Sequence, residues 1–467
     1  MFVGRTAELQ SLDLAYDSGK FQMAVVYGRR RVGKTSLIRE FARGKRALFF
    51  TAQEQSDSDN LADFSREVAR FFGLPSDMRF GSWRAAIDYI CEQAERERFV
   101  LVFDEFPYAA KRFAALPSLL QIAIDHRLQG TQLFLVLCGS NQGFMESDVL
   151  GYKSPLYGRR TLQVKLKPFG YREAAEMLPW MDADEAFRTY ACIGGVPYYL
   201  SQVREGTTLK ESLAQLYFRP PGFLYSEPEL LLRQELSEPA AYYSVLRAVA
   251  GGANRPKAIA ERTGIERNSV AGYLSTLVDL DILERAVPFG DNPDRSKRAV
   301  YRMREAMFDY WFTFVSPNVA MIDANAGDAV VESISEEVFA TYLGHWFERV
   351  CGGWMVSQAL SGRFEVPVAS VSSWWGTDPV AREQVDIDVI GADASGKRLV
   401  VGECKYRNSF DETEALRTLE KRAALIKGCV AEELVLFSKH AVSAGTRRKV
   451  DADKRLHAVC LDELYGR

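Results

Sequence analysis

A chain of 467 residues, of which 47% are hydrophobic and 26% charged, has the composition of a globular protein and is too long for one ordinary core. Its net charge of −3 excludes a protein that coats nucleic acid by bulk attraction, although it allows a local basic face. The longest apolar runs, at residues 99–103 and 133–138, are too short to span a membrane, and seven scattered cysteines without a C-x-x-C pair favour a reducing, cytoplasmic location.

The most specific motif lies near the amino terminus, where an apolar run at residues 23–27 precedes the segment GRRRVGKTS. This segment matches G-x-x-x-x-G-K-[ST], the P-loop that binds nucleotide phosphates. Its glycines allow the backbone to wrap a phosphate, while Lys34 is predicted to reach the β- and γ-phosphates and Thr35 to ligate magnesium. The predicted ATP-binding residues of the loop are Gly28, Arg29, Arg30, Arg31, Val32, Gly33, Lys34, Thr35 and Ser36.

Two further predicted strands end in polar residues. The strand at residues 99–103 leads into Asp104, predicted to hold magnesium, and Glu105, predicted to orient or deprotonate the attacking water. The pair therefore indicates ATP hydrolysis as well as ATP binding. A third strand at residues 133–138 leads into Ser140 and Asn141, either of which is predicted to contact the γ-phosphate, and the alternative is an ordinary polar turn.

Next along the chain, Arg159 and Arg160 precede another alternating strand in the segment SPLYGRRT. The segments FVGRTAEL, YGRRRVGKTSLI, FDEF, GSN, SPLYGRRT, LKPF and IGGVPYYL together resemble the archaeal-type ATPases of the AAA+/STAND group over the first half of the chain. The resemblance implies that Arg159 or Arg160 is an arginine finger, which can act in a neighbouring subunit of a homo-oligomer. It also implies a helical lid that includes residues 194–197. The alternative for the two arginines is a surface pair.

From residue 240 the pattern changes to short helices, which predict a helix-turn-helix with Gly264 at its tight turn. The turn-rich segment at residues 283–303 then predicts a wing with a positive tip. In a DNA-binding winged helix the second helix enters the major groove and the wing contacts phosphate, and the alternative is a packing or dimerisation module. The candidate DNA contacts are Arg267, Asn268, Ser269, Arg295, Lys297 and Arg298.

The last part of the chain predicts a helix that begins near residue 334, a three-stranded meander, a second helix at residues 411–427 and a further strand. The segment RFEVPVA is predicted as the first strand of the meander. Apolar spacing predicts that one stripe of the first helix faces inward. The stripe consists of Val338, Tyr342, Phe347 and Val350.

The middle strand of this meander carries Asp386, and the next carries Glu403 and Lys405. The element order and these residues resemble the restriction-endonuclease-like fold with its PD-(D/E)xK motif. In that motif, carboxylates on neighbouring strands share a divalent cation such as magnesium, and the lysine holds the attacking water or steadies the phosphate. The family pattern implies Glu348 as a further acidic ligand, with Asp388 pointing the same way as Asp386. No proline directly precedes Asp386, a departure from the pattern.

The predicted fold class is therefore an α/β multidomain protein. We expect a P-loop ATPase core at residues 1–167, a helical lid at 168–236, a winged helix-turn-helix at 237–315 and a nuclease-like domain at 316–467. The first hypothesis is an ATPase that binds DNA and cuts it with magnesium. The second is an ATP-controlled DNA-binding regulator with an inactive nuclease fold. The third is a signal-transduction ATPase that scaffolds protein partners.

Overall fold

The computed structural model describes residues 2–236, 238–358 and 361–466. Its contacts separate one unit, Met1–Phe169 with Val196–Tyr198, from a second unit, Gly170–Gly195 with Tyr199–Arg467. The chain ends at residues 1 and 467 and the predicted boundary at residue 237 lie outside the described residues. The division into four domains remains a prediction.

A parallel sheet forms the centre of the first unit. Its strands are β1 (Gln22–Tyr27), β2 (Ala47–Thr51), β3 (Val100–Asp104), β4 (Phe134–Gly139) and β5 (Leu162–Lys165). The strand order is β2-β3-β4-β1-β5, with all neighbours parallel, so that β4 lies between β1 and β3. Apolar clusters cover both faces of the sheet, which explains why its strands are nearly continuous hydrophobic runs.

The helices of this part of the chain are α1 (Thr6–Asp17), α2 (Lys34–Phe41), α3 (Asp57–Phe72), α4 (Trp83–Arg96), α5 (Phe106–Arg112), α6 (Leu116–His126) and α7 (Gln142–Phe144). Short 3₁₀ and π segments lie at Leu128–Gly130 and Met145–Val149, and later in the chain at Ser316–Asn318 and Trp311–Val315. In the described part of the chain, no helix is long and apolar enough to cross a membrane.

Short helices dominate the region that follows. They are α8 (Tyr171–Glu176), α9 (Ala183–Ile193), α10 (Pro197–Leu200), α11 (Leu209–Tyr217), α12 (Glu227–Glu235), α13 (Pro239–Ala250), α14 (Pro256–Thr263), α15 (Arg267–Asp279), α16 (Ala306–Tyr310), α17 (Val319–Asp323) and α18 (Gly327–Ser333). Between α15 and α16, strands β6 (Leu283–Ala286) and β7 (Val300–Met303) form an antiparallel pair. The turn between α14 and α15 is made at Gly264, whose φ of 73° is in the left-handed region that favours glycine. The predicted helix-turn-helix and its wing are therefore confirmed.

The remaining elements surround a second sheet. They are the helices α19 (Glu336–Gln358), α20 (Glu412–Ala423), α21 (Ala444–Ala452) and α22 (Leu461–Tyr465), and the strands β8 (Ser370–Thr377), β9 (Gln384–Ala392), β10 (Arg398–Lys405), β11 (Val430–Ser438) and β12 (Leu456–Cys460). The strand order is β12-β11-β10-β9-β8. Strands β8, β9 and β10 form the predicted antiparallel meander, and β10, β11 and β12 run parallel. The α/β fold class with a parallel P-loop core, a helix-turn-helix and a C-terminal sheet is confirmed.

Two local predictions in this region are wrong. The segment RFEVPVA is not a strand, because Pro367 lacks an N–H and the N–H of Val366 donates to the Glu433 carboxylate, 3.0 Å away, instead of to a neighbouring strand. The first strand, β8, is formed by the residues that follow. Val338 is 53% exposed rather than inward, because the helix begins at Glu336 with a phase that buries its neighbour Phe339.

Helix α19 is the central packing element of the second unit. The Tyr342 hydroxyl donates to the carbonyl of Ala191 at the end of α9, at 2.7 Å, and Trp346 Nε1 donates to Asp309 Oδ2 in α16, at 2.9 Å. Farther along the helix, Met355 lies against Gly391 of β9, where even a methyl group would come within 2.7 Å of its sulfur. Helices α9 and α16 and the C-terminal sheet thus pack around the same helix.

We predict that Asp309→Asn stabilises the protein increasingly as pH rises. Burial raises the pKa of Asp309 from 3.8 to about 6, so the contribution of its bound proton to stability is complete below the unfolded pKa and lost as pH rises through 6. An asparagine cannot ionise and keeps an acceptor for Trp346. The gain in unfolding free energy should be near zero at pH 4 and about 3 kcal/mol at pH 7.5.

Melting curves of the wild type and the variant across this pH range provide the measurement. A difference in melting temperature that does not change with pH would contradict the prediction.

Candidate functional sites

The P-loop has a backbone that only glycine permits at its first position. Gly28 has a φ of 150°, and a Cβ there would lie 2.3 Å from the carbonyl oxygen of Leu166. At the other end of the loop Gly33, with a φ of 93°, directly precedes α2, which begins at Lys34. The loop therefore presents its N–H groups and a helix amino terminus to the same space, as a phosphate site requires.

Lys34 and Thr35 have different hydrogen-bond partners: Lys34 contacts the P-loop itself, and Thr35 contacts the end of β3. The buried Lys34 ammonium donates to the carbonyls of Gly28 and Arg29, at 2.9 and 3.0 Å, and burial lowers its pKa. The Thr35 hydroxyl donates to Asp104 Oδ2 at the end of β3, at 3.1 Å. This hydroxyl and carboxylate are oxygen ligands of the type that magnesium prefers, and they lie next to each other. Their geometry therefore fits a magnesium site beside the loop.

Glu105 and Ser140 meet because β4 lies next to β3. Ser140 donates to Glu105 Oε2 through its hydroxyl, at 2.8 Å, and through its backbone N–H, at 3.2 Å. Glu105 has a φ of 49°, a left-handed conformation that costs a non-glycine residue roughly 1–3 kcal/mol and clusters at functional sites. Asn141 instead caps α7, because its Oδ1 accepts a hydrogen bond from Phe144 N at 2.8 Å.

The other predicted loop residues have identifiable neighbours. Arg30 donates to the Tyr108 hydroxyl at 2.6 Å, and the Arg31 guanidinium lies 5.3 Å from the centre of the Tyr198 ring. Arg29 and Val32 are buried, whereas Ser36 is exposed.

The two candidate arginine fingers differ sharply. Arg159 makes a bidentate ion pair with Asp125, at 2.8 and 2.7 Å, and also donates to the carbonyls of Pro155 and Tyr157. This pairing lowers the pKa of the Asp125 carboxyl. Arg160 is exposed. In this arrangement Arg159 is held inside its own unit, and Arg160 is the arginine that faces solvent.

A second cluster of charges lies where β9 and β10 meet α19 and α20. Glu403 is 3% exposed, and its carboxylate pairs with Lys405 and with Arg422, the latter at 3.3 Å. Asp388 Oδ2 accepts a hydrogen bond from the backbone N–H of Cys404 at 2.7 Å. Burial and the neighbouring carboxylates raise the pKa values of both Glu348 and Asp388. The predicted acidic residues of two strands and one helix are therefore brought into electrostatic contact.

Asp386 differs from the rest of this cluster because its side chain is 72% exposed, with its nearest described cation, Arg422, at 3.8 Å. Asp388, predicted only to point the same way, is half-buried. Among the described residues, no three His, Cys, Asp or Glu side chains are grouped closely enough to hold a metal ion. The carboxylates fit magnesium by their chemistry, but in this arrangement Lys405 and Arg422 neutralise Glu403.

All six candidate DNA contacts are exposed, and five of them are not held by an ion pair to a described residue. Arg267, Asn268 and Ser269 are exposed at the start of α15, and Arg295 and Lys297 are exposed at the wing tip. Arg298 also lies on the wing but is held by both oxygens of Asp291 and donates to the Trp375 carbonyl at 3.1 Å.

Two cations near the carboxylates were not predicted from the sequence. Arg422 lies on the predicted helix of residues 411–427, but the four basic residues of that helix, at 417, 421, 422 and 427, gave no signal that separates it from a solvated face. Arg302 lies on β7, and its charge acts to lower the pKa of Glu348. Only the packing of the wing brings Arg302 to this cluster.

Three family models match parts of the chain. Residues 2–203 match a model described as an ATPase domain predominantly from Archaea. Residues 243–286 match an IclR helix-turn-helix domain, and residues 311–417 match archaeal and bacterial proteins of unknown function.

Two curated proteins of Methanocaldococcus jannaschii are similar to this chain. The uncharacterised protein MJECL04 is 27% identical over 430 residues, which cover 91% of this chain and 92% of the relative. The uncharacterised ATP-binding protein MJ0423 is 46% identical over 46 residues, which cover 10% of this chain and 78% of the relative.

Among solved structures, the ORC2 protein of Aeropyrum pernix matches with a TM-score of 0.43 and 14% identity, covering 69% of this chain and 94% of the other. Cdc6p from Pyrobaculum aerophilum matches with a TM-score of 0.34 and 14% identity, again covering 69% of this chain and 94% of the other.

We predict that substitutions of the two candidate arginine fingers differ in their effect on stability. Arg159→Ala removes a bidentate ion pair and two hydrogen bonds to carbonyls, so the unfolding free energy should fall by about 1–2 kcal/mol. Arg160→Ala changes an exposed residue and should leave it within about 0.5 kcal/mol.

Thermal unfolding of both variants and the wild type is the measurement. Equal melting temperatures for the two variants would contradict the assignment of Arg159 to a structural pair.

Proposed function

We propose, from the premise that residues 2–203 belong to the family of ATPase domains found predominantly in archaea, that the protein hydrolyses ATP and acts on DNA through its C-terminal part. The observation that carries the ATPase assignment is the contact between Thr35 and Asp104 at the end of the P-loop. It joins the phosphate-binding motif to the acidic strand end within one site.

In the proposed hydrolysis, a water oxygen bonds to the γ-phosphorus while the bond to the β–γ bridging oxygen breaks. Glu105 takes the proton of the attacking water, and Lys34 stabilises the charge that develops on the phosphate oxygens. Thr35 and Asp104 would hold magnesium, which when bound supplies charge neutralisation to the β- and γ-phosphates. Ser140, which donates to Glu105, would keep that carboxylate at the end of β4.

DNA is the proposed substrate because two regions of the second unit suit a phosphodiester. The exposed residues at the start of α15 and at the wing tip match the helix and wing contacts of a winged helix. The acidic cluster with Glu348, Glu403 and Lys405 resembles the PD-(D/E)xK site, in which a water oxygen bonds to phosphorus and the bond to a sugar oxygen breaks. When bound, magnesium would supply a Lewis acid to that reaction.

Within this site the residues of the chain have separate proposed roles. Glu403 and the carboxylates of Asp386 and Glu348 would hold the cation, and Lys405 would hold the attacking water or the phosphate. Burial, together with repulsion from neighbouring carboxylates that include Glu403, raises the pKa values of Glu348 and Asp388, and a bound cation would relieve that repulsion.

A second candidate function follows from the neutralisation of Glu403. Because Lys405 and Arg422 both pair with this carboxylate, the arrangement also suits a site that holds DNA without cutting it. The protein would then be an ATP-controlled DNA-binding regulator.

For the ATPase, we predict that Lys34→Ala abolishes nucleotide binding and turnover, since it removes the cation of the P-loop. Glu105→Gln should still bind ATP but lose turnover by about 100-fold or more, because the group that takes the proton is gone. Phosphate release and binding of a fluorescent ATP analogue measure the two effects. Lys20→Ala, which changes an exposed lysine of the same unit, is the control. Unchanged turnover in Lys34→Ala would refute the assignment.

For the nuclease, we predict that the wild type cuts plasmid or linear DNA with magnesium or manganese, tested with and without ATP. Glu403→Ala and Lys405→Ala should lose the activity, because they remove a metal ligand and a phosphate-binding cation. Glu414→Ala, which removes an exposed carboxylate of α20 paired with Arg417, should cut like the wild type.

Cleavage that persists in Glu403→Ala would come from a contaminant and would rule out this site. A wild type that binds DNA without cutting it would leave the regulator as the function.

A further inference from the structure

The wing is fixed against the edge of the C-terminal sheet. The backbone N–H of Phe289 donates to the carbonyl of Ser373 in β8 at 2.8 Å, and Arg298 donates to the carbonyl of Trp375 in the same strand at 3.1 Å. Strand β8 is the last strand of its sheet, so these contacts cover part of an edge that would otherwise be unpaired. The wing and the acidic cluster are thus parts of one structure.

Arg302, on strand β7 of the wing, carries a charge that this arrangement leaves unpaired among the described residues. Its direct neighbour across the wing is Glu284, but both oxygens of Glu284 accept hydrogen bonds from Arg349, at 2.8 and 3.1 Å. Within the described part of the chain, the Arg302 side chain has no hydrogen bond and no ion pair. It is exposed, and its guanidinium lies 5.3 Å from the centre of the Trp375 ring.

Trp375 connects Arg302 with the carboxylates. In the pairing of β8 with β9, Trp375 lies directly opposite Asp386. The guanidinium over this ring therefore lies beside the strand that carries Asp386 and Asp388. The electrostatic influence of Arg302 on Glu348 agrees with this placement.

The other cations of the cluster, Lys405 and Arg422, already form ion pairs. Lys405 and Arg422 both pair with Glu403, so neither offers its full charge to a phosphate. An arginine that stacks on an aromatic ring keeps its edge N–H groups available and presents them in a fixed plane, an arrangement that suits the paired oxygens of a phosphate. Arg302 meets both conditions.

We propose that Arg302 of the wing is a phosphate-binding residue of the C-terminal carboxylate site, held in place by Trp375, and that it positions a DNA phosphodiester beside Glu403 and Lys405. This inference rests on the proposed action on DNA. The winged helix then contributes to the site itself as well as to DNA binding elsewhere, and the substrate must contact both.

The test compares Arg302→Ala and Arg302→Lys with Arg304→Ala in the full chain. Arg304 follows the same strand and has the same charge, but it pairs with Asp281 at 3.1 Å. DNA affinity is measured by fluorescence anisotropy in calcium at several salt concentrations, and cleavage is measured in magnesium under single-turnover conditions. Melting temperatures establish that each variant is folded.

Arg302→Ala should weaken DNA binding about tenfold and reduce the slope of log affinity against log salt by about one, with Arg302→Lys in between. Arg304→Ala should match the wild type. Should Arg302→Ala fail to fold, a loss of affinity in the folded Arg302→Lys supports the proposal, and wild-type affinity in that variant overturns it.

Equal affinities for Arg302→Ala and Arg304→Ala overturn the proposal even when the wild type cuts DNA. If the wild type binds DNA but does not cut it, only the proposed nuclease function is ruled out, because the anisotropy measurements still test the role of Arg302 in DNA binding. A wild type that does not bind DNA overturns both.

Discussion

Burial of helix α19 is the constraint on which the second unit depends. The helix has 23 residues, about 35 Å at 1.5 Å per residue, and is long enough to contact several elements at once. Its Tyr342 and Trp346 bond to α9 and α16, while Met355 packs beneath β9. A break in this helix would therefore separate α9 and α16 from the sheet as well as unfold one element.

The same helix also sets the charges around the acidic cluster. Glu348 and Arg349 are consecutive, so they point in different directions from the helix axis. Arg349 donates a hydrogen bond to Glu284 of the wing, whereas burial and the charge of Asp388 raise the pKa of Glu348. Two adjacent residues of one helix thus have different surroundings. Arg349 pairs with an acid of the wing, whereas Glu348 lies near other carboxylates.

Sequence patterns predicted the features that depend on residues close together in the chain. The P-loop needs particular residues in a row, and the wing strands begin at Leu283 and end at Met303 as their turn-rich segment predicts. Contacts between residues that are distant in the sequence could not be predicted. Glu433 keeps Val366 out of a strand, and Asp125, 34 residues away, engages Arg159. The carboxylate cluster was predictable as a set of residues, but the exposure of Asp386 was not, since it depends on how α19 and α20 pack.

The path of the chain has a consequence for how the protein is made. Val196–Tyr198 belong with the first unit, although the residues on both sides belong with the second. There, Tyr198 lies beside Arg31, and Pro197 lies 3.9 Å from where a Cβ on Gly33 would stand. A ribosome must therefore synthesise α8 and α9 before it delivers the residues that complete the surroundings of the P-loop. The amino-terminal unit cannot complete its contacts until residue 198 has been synthesised, and a fragment cut after residue 169 would lack the residues that lie beside its P-loop.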